Sequence, residues 1–181
     1  MPKIDTQAAG SFLFRKDFAL ESVPSEFTIR ISADNRYKLF VNGTLVSVGP
    51  NWGDIKHWNY HTLDIAEHLR AGGNILAIKV WNEADMRAVA QFSYKTALFV
   101  QGEGDLEKIV DTDASWKVTR DQSYTPLKQD IRGYYAAGSG DFIDMNKALT
   151  GWKSQSFDDG SWQAPDTVFE AVQRGGGIRY Q

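Results

Sequence analysis

The dipeptide Asn42-Gly43 lies between two runs of strand-forming residues and limits the fold more than any other feature of the sequence. Apolar residues occupy every second position of residues 36–41, and residues 44–48 continue as a return strand. A period of two is typical of a strand with one buried face. Asn-Gly readily adopts the positive φ angles that a tight type I′ turn requires. Residues 36–48 are therefore predicted to form a β-hairpin.

Strand patterns dominate the rest of the first hundred residues. Residues 26–32 alternate strictly between polar and apolar, so residues 26–48 are predicted to fold back on themselves as paired strands. Residues 74–81 are almost continuously apolar, which predicts a central strand covered on both faces. One long strand or a pair of strands is predicted at residues 91–101, and further strands at residues 108–110 and 115–119.

Helical patterns are few and short. One helix is predicted at residues 65–71, where Asp64 can cap its start and Gly72-Gly73 can end it. A further helical turn or two is predicted at residues 144–149. Many short strands with one or two short helices predict an all-β fold, an antiparallel β-sandwich of the jelly-roll type.

Length and composition narrow the class of protein. At 181 residues the chain fits one domain, predicted to span residues 1–181 with its core at about 11–165. It has no cysteine, which excludes thiol catalysis and thiolate zinc sites. Its formal net charge of −3 argues against a nucleic-acid partner, which normally meets a basic stripe. No apolar run approaches the roughly 20 residues that a membrane span needs.

The segment 52–60 carries the chemistry that a sugar site needs, flat rings for C–H faces and a few fixed polar groups for hydroxyls. Another candidate, Asn82, follows the predicted central strand, a position where binding groups often lie on a rigid scaffold. The predicted carbohydrate contacts are Trp52, Asp54, His57, Trp58, Tyr60 and Asn82. The alternative is structural: Trp58 and Tyr60 are then core or corner aromatics, and Asp54 is a turn residue.

Acidic residues in predicted loops could supply oxygen ligands to Ca²⁺. They are Asp34, Asp54, Asp85, Asp111, Asp113 and Asp141, and their spacing selects no particular set. A glycosidase needs two carboxylates facing one substrate, and the sequence alone pairs none. No nucleophile elbow, P-loop, dinucleotide fingerprint or HExxH helix is present.

A family resemblance adds to this interpretation. Residues 31–43, ISADNRYKLFVNG, resemble the hairpin of N-terminal domains in bacterial α-L-rhamnosidases. Residues 49–82 are similar to the next stretch of that family, and residues 157–162, FDDGSW, resemble a turn of glycosidase accessory sandwiches. Sugar-binding domains of β-galactosidase-like enzymes share the hairpin, so the longer run favours the rhamnosidase family.

The resemblance implies a galactose-binding-like jelly roll placed before a large (α/α)6 barrel that holds the catalytic glutamates. The chain has no room for that barrel, so it is expected to be a non-catalytic fragment of a larger glycosidase. Related modules bind terminal L-rhamnose with calcium, but none of their ligand residues can be matched here. The implied location is periplasmic or extracellular in a bacterium.

Three roles are therefore open. The domain contacts an L-rhamnose-containing glycan, or it serves only as a structural wedge against the catalytic domain of the same parent chain. In the third, the chain is an enzyme in its own right, with paired carboxylates.

Overall fold

The computed structural model describes residues 5, 7–51, 53–128 and 138–167, and the backbone of residues 171–174 and 177–180. In these residues the strands are β1 (Gly10–Leu20), β2 (Thr28–Asp34), β3 (Arg36–Val41), β4 (Thr44–Gly49), β5 (His61–Asp64), β6 (Gly72–Asn82), β7 (Ala97–Gly102), β8 (Lys117–Arg120), β9 (Tyr124–Leu127), β10 (Gly140–Ile143), β11 (Ala171–Arg174) and β12 (Gly177–Tyr180). Short 3₁₀ turns lie at Ala66–His68, Ala84–Met86, Glu107–Val110 and Met145–Lys147.

Two antiparallel sheets form the body of the molecule. The larger has the strand order β4-β3-β6-β1-β8 and the smaller the order β5-β2-β7. On the inner face of the larger sheet, Val118, Phe14, Ile78 and Leu39 lie side by side on four neighbouring strands. They share one buried core with inward side chains of the smaller sheet, such as Ile31. The predicted all-β sandwich is therefore confirmed.

The predicted hairpin is also confirmed. β3 and β4 pair with each other, and the turn residues Asn42 and Gly43 have φ angles of 49° and 88°. Two successive positive φ angles are the signature of a type I′ turn, which twists in the same sense as the strands it joins.

The predicted pairing of residues 26–48 is only partly right. β2 pairs with β5 and β7 of the smaller sheet, whereas β3 belongs to the larger sheet. The chain therefore passes from one sheet to the other at Asp34 and Asn35. Alternation identifies a half-buried strand but does not say which neighbour it pairs with.

Three further predictions need correction. Residues 108–110 are not a strand but part of a 3₁₀ turn. The Asp111 carboxylate at the end of this turn accepts a hydrogen bond from the Gly102 N–H at 2.7 Å. Of residues 91–101, only those from Ala97 onward are strand. The helix predicted at 65–71 is a single 3₁₀ turn. The Asp64 carboxylate accepts both the Ala66 N–H and the N–H of Phe27, the residue before β2, and so holds the start of the turn in place. The turn predicted at 144–149 is confirmed at Met145–Lys147, where Asp144 caps it.

The outer face of the larger sheet is covered by residues 151–163, which we call the tail. Arg15, which projects from β1 to this side, is fully buried. Its guanidinium donates to the Trp152 carbonyl, to the Ser154 carbonyl at 2.8 Å and to the Asp159 carboxylate at 2.7 Å. The Trp152 ring packs edge-on against Phe40, with 5.9 Å between centroids. The tail thus covers the second face of the central strands, as the apolar run at 74–81 predicts.

Among the residues described, no helix has the length and apolar character needed to cross a lipid bilayer.

Candidate functional site

Two loops meet at one end of the sandwich, at the point where β2 leads into β3. They comprise residues 53–60 and 83–96, and we call this region the loop end. Ser32 donates its hydroxyl to the Asn59 carbonyl at 2.6 Å, and the Trp58 indole N–H donates to the Ala33 carbonyl at 3.2 Å. The next residues of the chain, Asp34 and Asn35, hold the second loop. Four consecutive residues therefore position both loops.

Asp34 is the central residue of this arrangement. It is only 1% exposed, and one carboxylate oxygen accepts the backbone N–H groups of Tyr94 at 2.6 Å and Lys95 at 3.0 Å. The other oxygen accepts the amide N–H groups of Asn35 at 2.6 Å and Asn82 at 3.4 Å. Burial raises the pKa of Asp34, against the opposing effect of these backbone donors. A buried carboxylate with this many N–H partners fixes the backbone that supplies them.

Asn82 completes the network. Its side chain is buried, donates to the Ser93 hydroxyl at 2.9 Å and accepts the Ala84 N–H at 2.7 Å. The Asn35 amide also donates to the Phe92 carbonyl at 3.2 Å. The sequence-predicted contact residue Asn82 therefore supports the loop from within.

The buried residues bind the backbone of this loop, and two of its aromatic rings lie on the surface of the loop end. Phe92 is 49% exposed and Tyr94 is 51% exposed, and the ammonium of Lys95 lies 5.6 Å from the Tyr94 ring centroid. Sequence reasoning missed these rings because residues 91–96, QFSYKT, alternate polar and apolar as a strand would. A loop signal does precede them in the sequence, because residues 83–87, EADMR, are mostly polar.

The other predicted contacts lie on the first loop. Asp54 and His57 are exposed, and the His57 Nδ1 lies 3.0 Å from the Asp54 carboxylate. Asp54 also accepts the N–H groups of Lys56 and His57, and hydrogen bonding from His57 is the largest of the causes that lower the pKa of Asp54. Gly53 is needed here because a Cβ would lie 2.2 Å from the His57 carbonyl oxygen.

The predicted aromatics of this loop differ in exposure. Trp58 is buried, and Tyr60 is half-buried. Trp52 lies outside the described residues.

The acidic residues considered for Ca²⁺ are dispersed. Asp111 holds the turn after β7, Asp113 accepts from Ser115, and Asp141 accepts the Tyr124 hydroxyl at 2.7 Å. In the part of the chain that the structure describes, no three His, Asp or Glu side chains are grouped closely enough to hold a metal ion.

Comparison with known proteins identifies the family. The α-L-rhamnosidase N-terminal domain family matches residues 23–174. An α-L-rhamnosidase from Streptomyces avermitilis is 26% identical over 152 residues, which make up 83% of this chain and 12% of that protein. The crystal structure of a GH78 family rhamnosidase from Bacillus sp. GL1 superposes with a TM-score of 0.78 at 28% identity, over 93% of this chain and 18% of that one.

A lectin supports the fold class. The Pleurotus ostreatus lectin, solved in complex with GalNAc, superposes with a TM-score of 0.51 at 21% identity, over 96% of this chain and 42% of the lectin. That likeness is to the fold, a galactose-binding-like β-sandwich. The chain spans less than a fifth of the rhamnosidases that it resembles. Because the family matches most of its length, the chain belongs to the α-L-rhamnosidase N-terminal domain family.

Proposed function

We propose that this chain is a non-catalytic accessory domain of an α-L-rhamnosidase and that its loop end contacts the glycan. The observation that carries the proposal is a rigid loop with exposed rings: Asp34 binds the backbone of Tyr94 and Lys95, while the Phe92 and Tyr94 side chains face outward. Aromatic rings cover the C–H faces of sugars, and a loop that is already ordered loses little entropy on binding.

The two carboxylates that hold the loop end, Asp34 and Asp54, suit a structural role better than hydrolysis. Asp34 is occupied by N–H donors, and Asp54 by its own turn and His57. A glycosidase instead needs one protonated carboxyl group and one free carboxylate on either side of the scissile bond. The proposal places this domain in the periplasm or outside the cell, with an L-rhamnose-containing glycan as its ligand.

The test is a titration of the 181-residue chain with methyl α-L-rhamnoside, followed by the backbone amide NMR signals. We expect millimolar binding, with shifts concentrated in residues 53–60 and 83–96. Replacing both Phe92 and Tyr94 by alanine should weaken binding roughly thirtyfold, since each stacked ring contributes about 1 kcal/mol and about 1.4 kcal/mol corresponds to a factor of ten.

The matched control is Leu106→Ala, because Leu106 is 49% exposed and lies on the turn after β7. It should leave the affinity unchanged. Absence of saturable binding, or equal weakening in the control, would refute sugar contact at the loop end. Hydrolysis of an aryl α-L-rhamnoside by the purified chain would refute the non-catalytic role.

A second role, docking on the remainder of the parent enzyme, is favoured by the β9–β10 ribbon. The Tyr124 ring attaches one face of this ribbon to the sandwich, with the Lys79 ammonium 5.5 Å from its centroid. Leu127 and Phe142 project from the opposite face and are exposed, and Met145, just beyond, is 72% exposed. Exposed apolar patches of this kind often mark interfaces. The rhamnosidases that this chain resembles carry most of their length outside the matched region, which makes the rest of such a chain the natural occupant.

The docking role predicts that Leu127→Ser with Phe142→Ser lowers the melting temperature of the complete enzyme by several degrees and speeds amide exchange on this ribbon. The same pair of changes should leave the melting temperature of the 181-residue chain nearly unaltered, because both side chains are exposed there. Equal melting temperatures for the complete enzyme and its variant would exclude this ribbon as the interface.

A further inference from the structure

A cleft of about 440 Å³ lies at the end of the sandwich opposite the loop end, between the β3–β4 turn and the tail. It is lined by Asn42, Gly43, Arg70, Ile75, Gly151, Lys153, Ser154, Gln155 and Ser156. The strand β6 runs from this cleft to the loop end, and its eleven residues separate the two regions by roughly 30 Å. The volume is within the range of small-molecule sites.

The charge of the cleft is one-sided. Arg70 and Lys153 are its charged lining residues, and no carboxylate lines it. Within the described residues neither cation forms an ion pair: Arg70 donates to the Gly73 carbonyl and to the Gln155 side chain, and the Lys153 ammonium lies 4.5 Å from the centroid of the Phe40 ring. Two cations that line one cleft without a lining carboxylate favour an anionic ligand.

The walls of the cleft are held rigidly. On one side, Arg15 binds the carbonyls of Trp152 and Ser154, the residues on either side of Lys153. On the other side, the Asn42 amide donates to the His68 carbonyl and to Asn74, both at 2.8 Å. These contacts use a fully buried guanidinium and a saturated amide, so the positions of the lining residues are set before any ligand arrives.

The cleft also offers neutral hydrogen-bonding groups. The hydroxyls of Ser154 and Ser156 lie 3.0 Å apart, and Gln155 presents a side-chain amide beside Arg70. Alternating cations, hydroxyls and amides match a ligand that has both an oxyanion and hydroxyl groups.

We propose that this cleft binds an acidic sugar residue, one with a carboxylate or a sulfate ester, with Arg70 and Lys153 at the oxyanion. The anionic part of this proposal follows from the cleft alone, and the saccharide part rests on the proposed carbohydrate role. The site lies apart from the loop end, so the domain would contact a charged glycan at two separate places.

The experiment titrates the 181-residue chain in low salt with D-glucuronate, a sulfated glucose, neutral D-glucose, acetate and inorganic sulfate. We expect millimolar binding of at least one acidic sugar, with NMR shifts at residue 70 and residues 153–156 and affinity that falls as salt rises. Glucuronate against the sulfated sugar identifies which oxyanion is preferred. Equal binding of neutral glucose would overturn the anionic part, and equal binding of acetate or sulfate would overturn the saccharide part.

Variants separate this site from the loop end. Lys153→Gln should weaken binding about tenfold, because it removes one charge-assisted hydrogen bond. Ser156→Trp keeps both cations but blocks the cleft, and should abolish binding. Lys147→Gln, an exposed lysine paired with Asp144, is the matched control and should change nothing. Unchanged affinity in both cleft variants would overturn the proposal, whereas loss of rhamnoside binding in the Phe92 and Tyr94 variant leaves it intact.

Discussion

Replacing Asp34 by alanine is expected to lower the free energy of unfolding by about 3 kcal/mol, because it strands buried N–H donors without acceptors. Those donors are the backbone N–H groups of Tyr94 and Lys95 and the side-chain amides of Asn35 and Asn82. Urea unfolding of the variant against the parent sequence measures the change.

The loss should be concentrated at the loop end. Amide hydrogen exchange at Tyr94 and Lys95 is expected to accelerate far more than exchange at residues 75–78 in β6, since these residues pack in the core and do not contact Asp34. Asp54→Ala is the control, a carboxylate that also accepts backbone N–H groups but stands in water. It should have a much smaller effect. Protection of Tyr94 and Lys95 that is unchanged in Asp34→Ala would contradict the proposed support of this loop.

The same substitution links stability to the proposed function. Phe92 and Tyr94 stay in place in Asp34→Ala, but their backbone loses its anchor. If rigidity contributes to sugar contact, rhamnoside affinity should fall even though no contacting ring has been removed.

Replacing Arg15 by methionine is expected to have an effect of similar size, about 3 kcal/mol, since it removes the buried partner of Asp159 and of two tail carbonyls. Methionine fills much of the same volume, so the lost donors dominate the change. Chemical unfolding measures it, and limited trypsin digestion at Lys153 should show that the tail is released first.

The control for Arg15 is Arg30→Met. Arg30 also forms an ion pair at 2.8 Å, with Glu103, but the Glu103 side chain is 51% exposed, so water screens the pair. Surface pairs contribute about 1 kcal/mol or less, so this variant should remain close to the parent in stability. If the two variants lose equal stability, or if the tail of Arg15→Met resists trypsin, the tail is not held by this guanidinium. Since the tail forms one wall of the cleft, Arg15→Met should also abolish binding of acidic sugars.

Several elements were predictable because their causes are local. The turn at Asn42-Gly43 follows from the φ angles those residues adopt, and the central strand from an apolar run of the right length. The family resemblance drawn from residues 31–43 and 49–82 agrees with the family match.

The candidate site was less predictable, because each of its residue types has a common structural use. Sugar contact by residues 52–60 and by Asn82 stays a prediction. Two of these candidates, Trp58 and Asn82, also form hydrogen bonds that support the fold.

The strand β1, which the sequence patterns did not predict, shows most clearly what such patterns miss. β1 contains Arg15, Lys16 and Asp17 in its middle, which breaks its apolar pattern, yet Arg15 is fully buried because the tail supplies its acceptors from more than a hundred residues away.

Residues 91–96 show the opposite case. They alternate like a strand but form a loop, because Asp34, distant in sequence, binds their backbone.

By itself the amino-acid order determined the strand periods, the tight turn and the family, all of which depend on neighbouring residues. Tertiary structure alone decided which sheet each strand joined, which charges were buried and which rings remained exposed, because these depend on partners brought together only when the two sheets pack.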